Sequence, residues 1–286
     1  MANVSFTVPP GACDSHTHIF GDYPMVPERK YTPEPAGPEA MAALHRSLGL
    51  ERVVIVTPSV YGTDNTSTLD GIKARGITAR GIAVVSPQAR PELLQALHEA
   101  GIRGIRLNLA SSDVADPVVA AARLQWAADQ VSGLGWHVQV NTTLDVIAAL
   151  STVVPSLPVP VVFDHFGGAR AEAGPRQPGF PDLVKLVASG RAYVKISGAY
   201  HISKRGPNYP DCLPLAQALV AANPDRVLWG TDWPHPNPQS KTPLRPSPIQ
   251  AINDGMLFSQ LATWVPNPTD RAKILVANPA RLYGFR

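Results

Sequence analysis

The sequence predicts an α/β chain folded as a single distorted TIM-type (β/α)8 barrel with long proline-rich loops at its C-terminal face. Three observations predict it. Eight short apolar runs recur about every 31 residues, the length of a strand-plus-helix unit. Amphipathic helical patterns fall between them. The length of 286 residues suits one barrel spanning 1–286, since α/β barrels run to about 250 residues or more.

The strand candidates, in order, are GACDSHTHIF from Gly11, RVVIVTPS from Arg52, ARGIAVVSP from Ala79 and IRGIRLNLA from Ile102. WHVQVNT from Trp136, PVVFDHFGG from Pro160, AYVKISGAY from Ala192 and RVLWGTDWP from Arg226 complete the set. Helices fit PEAMAALHRSLG, RPELLQALHEAG, VVAAARLQWAADQVSGLG, FPDLVKLVASG and LPLAQALVAANP, several of which stop at Gly or Asn. Alternating strands and helices imply a parallel sheet. An open doubly wound sheet is the competitor, but TPSVYGTD after the second strand is no glycine-rich dinucleotide turn. The 30 prolines lie between the periodic segments and predict ordered loops.

Composition narrows the function classes. Net charge is +3 with scattered basic residues, and Lys204-Arg205 is too short for a nucleic-acid track. Cys13 and Cys212 form no disulfide framework and no CxxC pair. No signal peptide or membrane span is read, so a cytoplasmic protein with neither a membrane nor a nucleic-acid partner is expected.

Active sites of such barrels lie at the C-terminal strand ends. Those ends carry His16 and His18, Arg106 and Asn108, Gln139 and Asn141, Asp164 and His165, Lys195 and Ser197, and Asp232. Side chains two apart on a strand share a face, so His16 and His18 point the same way. Each has a plain reading as well. Asp232 could brace the GTDWPHPN turn. His165 alone could be a core histidine, Arg106 a structural ion pair, and Lys195 an amine nucleophile or a charge in a barrel layer. Asp14 and Asp164 are expected to orient neighbouring imidazoles or backbone. His45 and His98 are expected to be solvated on outer helices, and His201 and His235 to lie in top-face loops as possible substrate contacts.

The HxH of the first strand, DHFGG of the sixth and GTDWPHP of the eighth occur in an order that resembles the amidohydrolase superfamily, amidohydrolase-2 branch. Within it the chain looks most like the 2-pyrone-4,6-dicarboxylate lactonases, with VPERKYTPEPA, YGTDN and GIRGIRLN as further cues and NPARLYGF at the end. The resemblance implies a barrel hydrolase in which Asp232 is general base on water. It implies relatives that open an electron-poor lactone without metal, within a superfamily that elsewhere uses one or two divalent ions. The chain departs from that pattern in three places: NLASSDVAD shows no second arginine, Asn141 replaces an expected aromatic, and Gly168 stands near the place of a basic group.

A two-metal site lacks its bridging group here. One zinc could use His16, His18, His165 and Asp232. The favoured expectation is no cofactor: a conjugated lactone expels an enolate, and donors aimed at an oxyanion are worth about 3–4 kcal/mol each. The sequence therefore predicts a hydrolase acting on a small anionic lactone. Asp232 activates water, His16, His18, His165 and Arg106 stabilise the oxyanion, and Tyr31, Ser59, Tyr61, Asn108 and Arg205 contact the substrate. The alternatives are a zinc-dependent decarboxylase or lactone isomerase and, further off, a non-catalytic anion-binding barrel.

Overall fold

The computed structural model describes residues 4–110, 116–237 and 244–286. The middle of NLASSDVAD and part of the last proline-rich loop lie outside the described residues. All eight expected strands form: β1 (Cys13–Thr17), β2 (Arg52–Val56), β3 (Ala79–Ala83), β4 (Ile102–Asn108), β5 (His137–Asn141), β6 (Val161–Phe163), β7 (Ala192–Ser197) and β8 (Val227–Gly230). They pair side by side in chain order, all parallel. The valine-rich strands are buried on both faces, as a sheet wrapped in helices requires. In β6, Val161 and Phe163 pack outward in the layer shared with the helices, while Val162 faces the barrel interior.

Between successive strands run α1 (Pro38–Leu48), α2 (Thr66–Arg75), α3 (Pro91–Glu99), α4 (Pro117–Val131), α5 (Leu144–Leu150), α6 (Phe180–Ala188) and α7 (Leu213–Ala222). Their ends follow local chemistry. Asp116 caps α4 by accepting from the Val118 N–H at 2.8 Å, and α1 stops at Gly49, whose φ of 73° suits a residue without Cβ. None of the described helices is long and apolar enough to cross a membrane.

Closure between β1 and β8 places the chemistry. Asp14 pairs with Val53 and Thr17 with Ile55, so three steps of β1 span two of β2. This bulge shifts the side-chain phase, so Cys13 faces the interior below and His16 and His18 face it above. Past the bulge, His16 C=O accepts from Asp232 N–H at 2.8 Å, and His18 N–H donates to Trp233 C=O at 2.8 Å. The buried Asp14 carboxylate clasps the seam. It accepts from the backbone N–H groups of His16 (3.2 Å) and Thr231 (3.0 Å), from the Thr231 hydroxyl, and from His45 Nε2 (3.2 Å). His45 is thus fully buried on the inner face of α1, not solvated as expected. His98 is half-buried, stacked on Trp136 and accepting its indole N–H.

The floor of the barrel is apolar. Tyr283 and Phe285 pack against Cys13, Val54, Ile82 and Val162 from below. Above Tyr283 lies His137, fully buried, with neither ring nitrogen hydrogen-bonded. Burial, then the Lys195 charge, push its pKa down from 6.5 to about 3.

Two outcomes follow from this packing. A Cβ on Gly230 would lie 2.6 Å from His16 N and 2.8 Å from its Cβ. Gly230→Ala is therefore expected to overpack the seam and cost about 1–3 kcal/mol in urea unfolding. Between its ordinary value and about 3, His137 takes a proton in the unfolded chain but not in the native one. Stability is thus intact above the ordinary value and declines as pH falls below it. The urea midpoint should drop from about pH 7 to about pH 5, and His137→Leu should flatten that slope.

Candidate active site

Three chain segments converge at the upper mouth. The end of β1 supplies His16 and His18, the turn after β6 supplies His165, and the turn after β8 supplies Asp232. His165 (φ 47°) and Asp232 (φ 64°) both adopt left-handed backbone, uncommon away from glycine. Such strain concentrates at functional sites and persists where the surroundings over-determine it. Asp232 is pinned by its N–H bond to β1. Behind His165, Gly198 leaves the needed gap, since a Cβ there would sit 2.8 Å from His165 Nδ1.

The two Asp232 oxygens have different surroundings. Oδ2 accepts from Tyr200 Oη at 2.5 Å and His201 Nε2 at 2.8 Å. Oδ1 faces three imidazole Nε2 atoms: His18 at 3.5 Å, His16 at 3.6 Å and His165 at 3.9 Å. Burial alone would push this carboxyl up, but the electrostatic pull of the neighbouring imidazoles, His165 foremost, and the His201 hydrogen bond outweigh it and hold the pKa well below the carboxylate range. Burial lowers His165 to about 4 and His16 well below 6.5, the latter aided by Lys195. Both rings are neutral at physiological pH.

Hydrogen bonds behind the rings set their tautomers. His18 Nδ1 lies 2.7 Å from the Val56 carbonyl, which only accepts, so Nδ1 carries the proton and a neutral ring presents its Nε2 lone pair to Oδ1. His16 Nδ1 meets Lys195 Nζ at 3.2 Å and Asp164 Oδ1 at 3.3 Å, while its Nε2 is buried without a hydrogen-bond partner. His165 Nδ1 meets Ser197 Oγ at 3.0 Å. Below them, Asp164 Oδ2 accepts from Arg106 Nε (3.0 Å), Arg106 Nη2 (2.9 Å) and Gln139 Nε2 (3.1 Å). Burial opposes its ionisation, but His16, Arg106 and Lys195 overturn that and hold it low. Lys195, fully buried and bonded to Gln139 Oε1 at 2.7 Å, is lowered by burial to about 8.

The same atoms fit a metal ion. One donor atom each of His16, His18 and Asp232 lie within 4.8 Å of one another, as do those of His165, His201 and Asp232. The orphaned His16 Nε2 and the His18 lone pair beside a carboxylate form the nitrogen and oxygen donor set that zinc takes.

A cavity of about 350 Å³ opens over Asp232. His18, His165, Arg106, Tyr31 and Ser59 are on its walls, together with Asn141. Tyr31 hydrogen-bonds Ser59, and burial raises its pKa to about 12. Other expected contacts lie elsewhere. Tyr61 Oη is held between Gly21 N (3.1 Å) and Gly21 O (3.3 Å), off the cavity wall. Arg205 is exposed and off the wall too, and Asn108 lines a neighbouring cavity. His235 is buried against Asp254 at 2.9 Å, whereas His201 lines the cavity. A Cβ on Gly168 would fall 2.4 Å from the Thr142 carbonyl, so no basic side chain fits there. Arg170, two residues on, lines the cavity instead. Arg170 and Tyr200 were not singled out from sequence. The only signal for Tyr200 is an aromatic close after the seventh strand end, in GAYH.

The chain has known relatives. The chain is 35% identical over 285 residues to 4-sulfomuconolactone hydrolase of Hydrogenophaga intermedia, covering 98% of this chain and 90% of that one. It is 35% identical over 290 residues to 2-pyrone-4,6-dicarboxylate hydrolase of Comamonas testosteroni, covering 97% and 92%. A crystal structure of an Agrobacterium tumefaciens protein superposes with a TM-score of 0.81 at 25% identity, covering 97% of each chain. The model of the Amidohydro_2 family matches residues 13–285, and the chain belongs to that amidohydrolase family.

Proposed function

We propose that this protein is a hydrolase that opens a small carboxylate-bearing lactone. The observation that carries this reading is the divided carboxylate of Asp232: one oxygen is locked by Tyr200 and His201, and the other is turned toward three imidazoles at the mouth of a cavity. The two curated relatives, each named for hydrolysis of a lactone or pyrone, support it.

A water beside Oδ1 gives one hydrogen bond to Asp232 and the other to the His18 lone pair, which turns its own lone pairs toward the lactone carbonyl. Asp232 takes the proton as the oxygen–carbon bond forms. Its low pKa makes it a weak base that is ionised throughout the neutral range, adequate where the ester is electron-poor. Charge developing on the carbonyl oxygen meets the neutral imidazole of His165 and the Arg106 Nη1, which Asp164 leaves unused. Lys195 is a pure donor, so its contact with His16 Nδ1 favours a proton on Nε2 and adds His16 to these donors. When the ring opens, Asp232 returns its proton to the departing oxygen. Arg170 at the cavity wall suits the substrate's carboxylate, by the fork-to-carboxylate geometry of guanidinium groups.

The orphaned His16 Nε2 favours a second reading, with one zinc on His16, His18, His165 and Asp232. Such an ion would polarise the carbonyl and acidify water. His16 would then donate from Nδ1 to Asp164, the other neighbour of that atom. Both reactions, and zinc-dependent decarboxylation or lactone isomerisation, use one set of residues.

Asp232→Asn should lower kcat for lactone opening by about 10²–10⁴-fold while substrate binding changes little. Near-normal turnover would remove Asp232 as the base. A lactone panel read by proton release separates the classes, because hydrolysis to a carboxylate frees a proton and isomerisation frees none. For the zinc reading, the expected results are one zinc per chain by elemental analysis and activity lost to a chelator and restored by zinc. Full turnover after chelation, with no metal left, would assign the chemistry to the side chains alone.

A further inference from the structure

A second cavity, of about 500 Å³, adjoins the first: Ser59 and Arg106 line both. It is larger than the space over Asp232, so a compact lactone seated at the base leaves it empty. Its composition is divided. Val26, Val84 and Trp126 form apolar sides, and Arg29, Lys30 and Arg123 add cations, with Glu28 as the one lining carboxylate among the described residues. Arg29 is held in place by Nε on Thr32 Oγ1 at 2.7 Å and Nη1 on the Val26 carbonyl at 3.2 Å. Arg123, exposed on α4, makes no hydrogen bond or ion pair among the described residues. At the junction, Arg106 spends Nε and Nη2 on Asp164, and its Nη1 serves the lactone carbonyl.

Apolar walls beside basic side chains match an apolar arm that ends in an anion. Burying methylenes against Val26, Val84 and Trp126 adds affinity with arm length, and the terminal charge meets the guanidinium groups. We propose that this second cavity is an arm-binding subsite, and that the preferred substrate is a lactone carrying an anionic group at the end of an apolar arm. This rests on the lactone-opening reading above and specifies its substrate class.

The test compares two γ-lactones, one with a carboxylate on the ring and one with the carboxylate on a butyl arm. The arm-bearing lactone should have the higher kcat/KM. Arg123→Glu should cut that preference by about fivefold to tenfold, through KM and not kcat. Arg176→Glu, the same charge reversal at an exposed position outside both cavities, should leave the preference in place. In parallel, calorimetric titration with hexanoate, which cannot be hydrolysed, should show binding that weakens about fivefold in Arg123→Glu. Equal or better turnover of the ring-carboxylate lactone, or a preference untouched by Arg123→Glu, overturns the subsite. Turnover of neither lactone, with hexanoate binding intact and dependent on Arg123, keeps the subsite and removes the lactone reading. Absence of hexanoate binding together with absence of arm preference removes the subsite alone.

Discussion

The site depends on the carboxylate of Asp14. A buried carboxylate is costly unless it is fully paired, and this one draws donors from three elements: the backbone of β1, Thr231 beyond β8, and His45 on α1. Those partners fix where the first strand meets the last. Thr231 precedes Asp232 and Asp14 lies two residues before His16, so the clasp sets the distance between the acid and the His16 imidazole. Gly230 makes the approach possible by having no side chain. The β1 bulge then turns both histidines of the HxH pair inward. Seam geometry and active-site geometry are one problem here.

Beneath the histidines lies a second set of constraints, the charges in the barrel's upper layers. Asp164, Arg106, Lys195 and Gln139 hydrogen-bond or pair with one another and touch His16 from behind. Buried ion pairs of this kind contribute little net stability, because desolvation offsets their attraction. Their effect is to fix orientation. Arg106 is held flat on Asp164 with one amino group left over, and His16 has both a donor and an acceptor at the same nitrogen. A site built this way can run with its proton on either side of the His16 ring.

Much of this was readable in the sequence. The strands announced themselves because a parallel sheet covered by helices needs continuous apolar runs, and VVIV, VVF and VLW supply them. His16, His18, His165 and Asp232 were readable because each stands at or just beyond a strand end, where periodicity fixes direction. Periodicity fails in loops. Tyr61 and Arg205 follow strands whose direction is clear, yet their own side chains turn to a backbone group and to solvent. His45 was misread because its partner Asp14 lies 31 residues away, across an interface that no local pattern reveals. Helix α2 escaped notice for a related reason. Its buried face is Ser67, Thr68 and Gly71, which permit close approach, with Ile72 the one large apolar residue, so no apolar stripe shows.

The barrel floor has a bearing on synthesis. Phe285 lies under the guanidinium groups of Arg52 and Arg80, and the carbonyls of Gly284 and Arg286 accept from Arg80 and Arg52. These plug residues emerge from a ribosome after every strand they seal. Until then the inner ends of the early strands have no apolar cover and two arginines lack their partners, so a nascent chain can assemble its walls but not its base. Completion of the barrel therefore waits for the segment that follows the last strand.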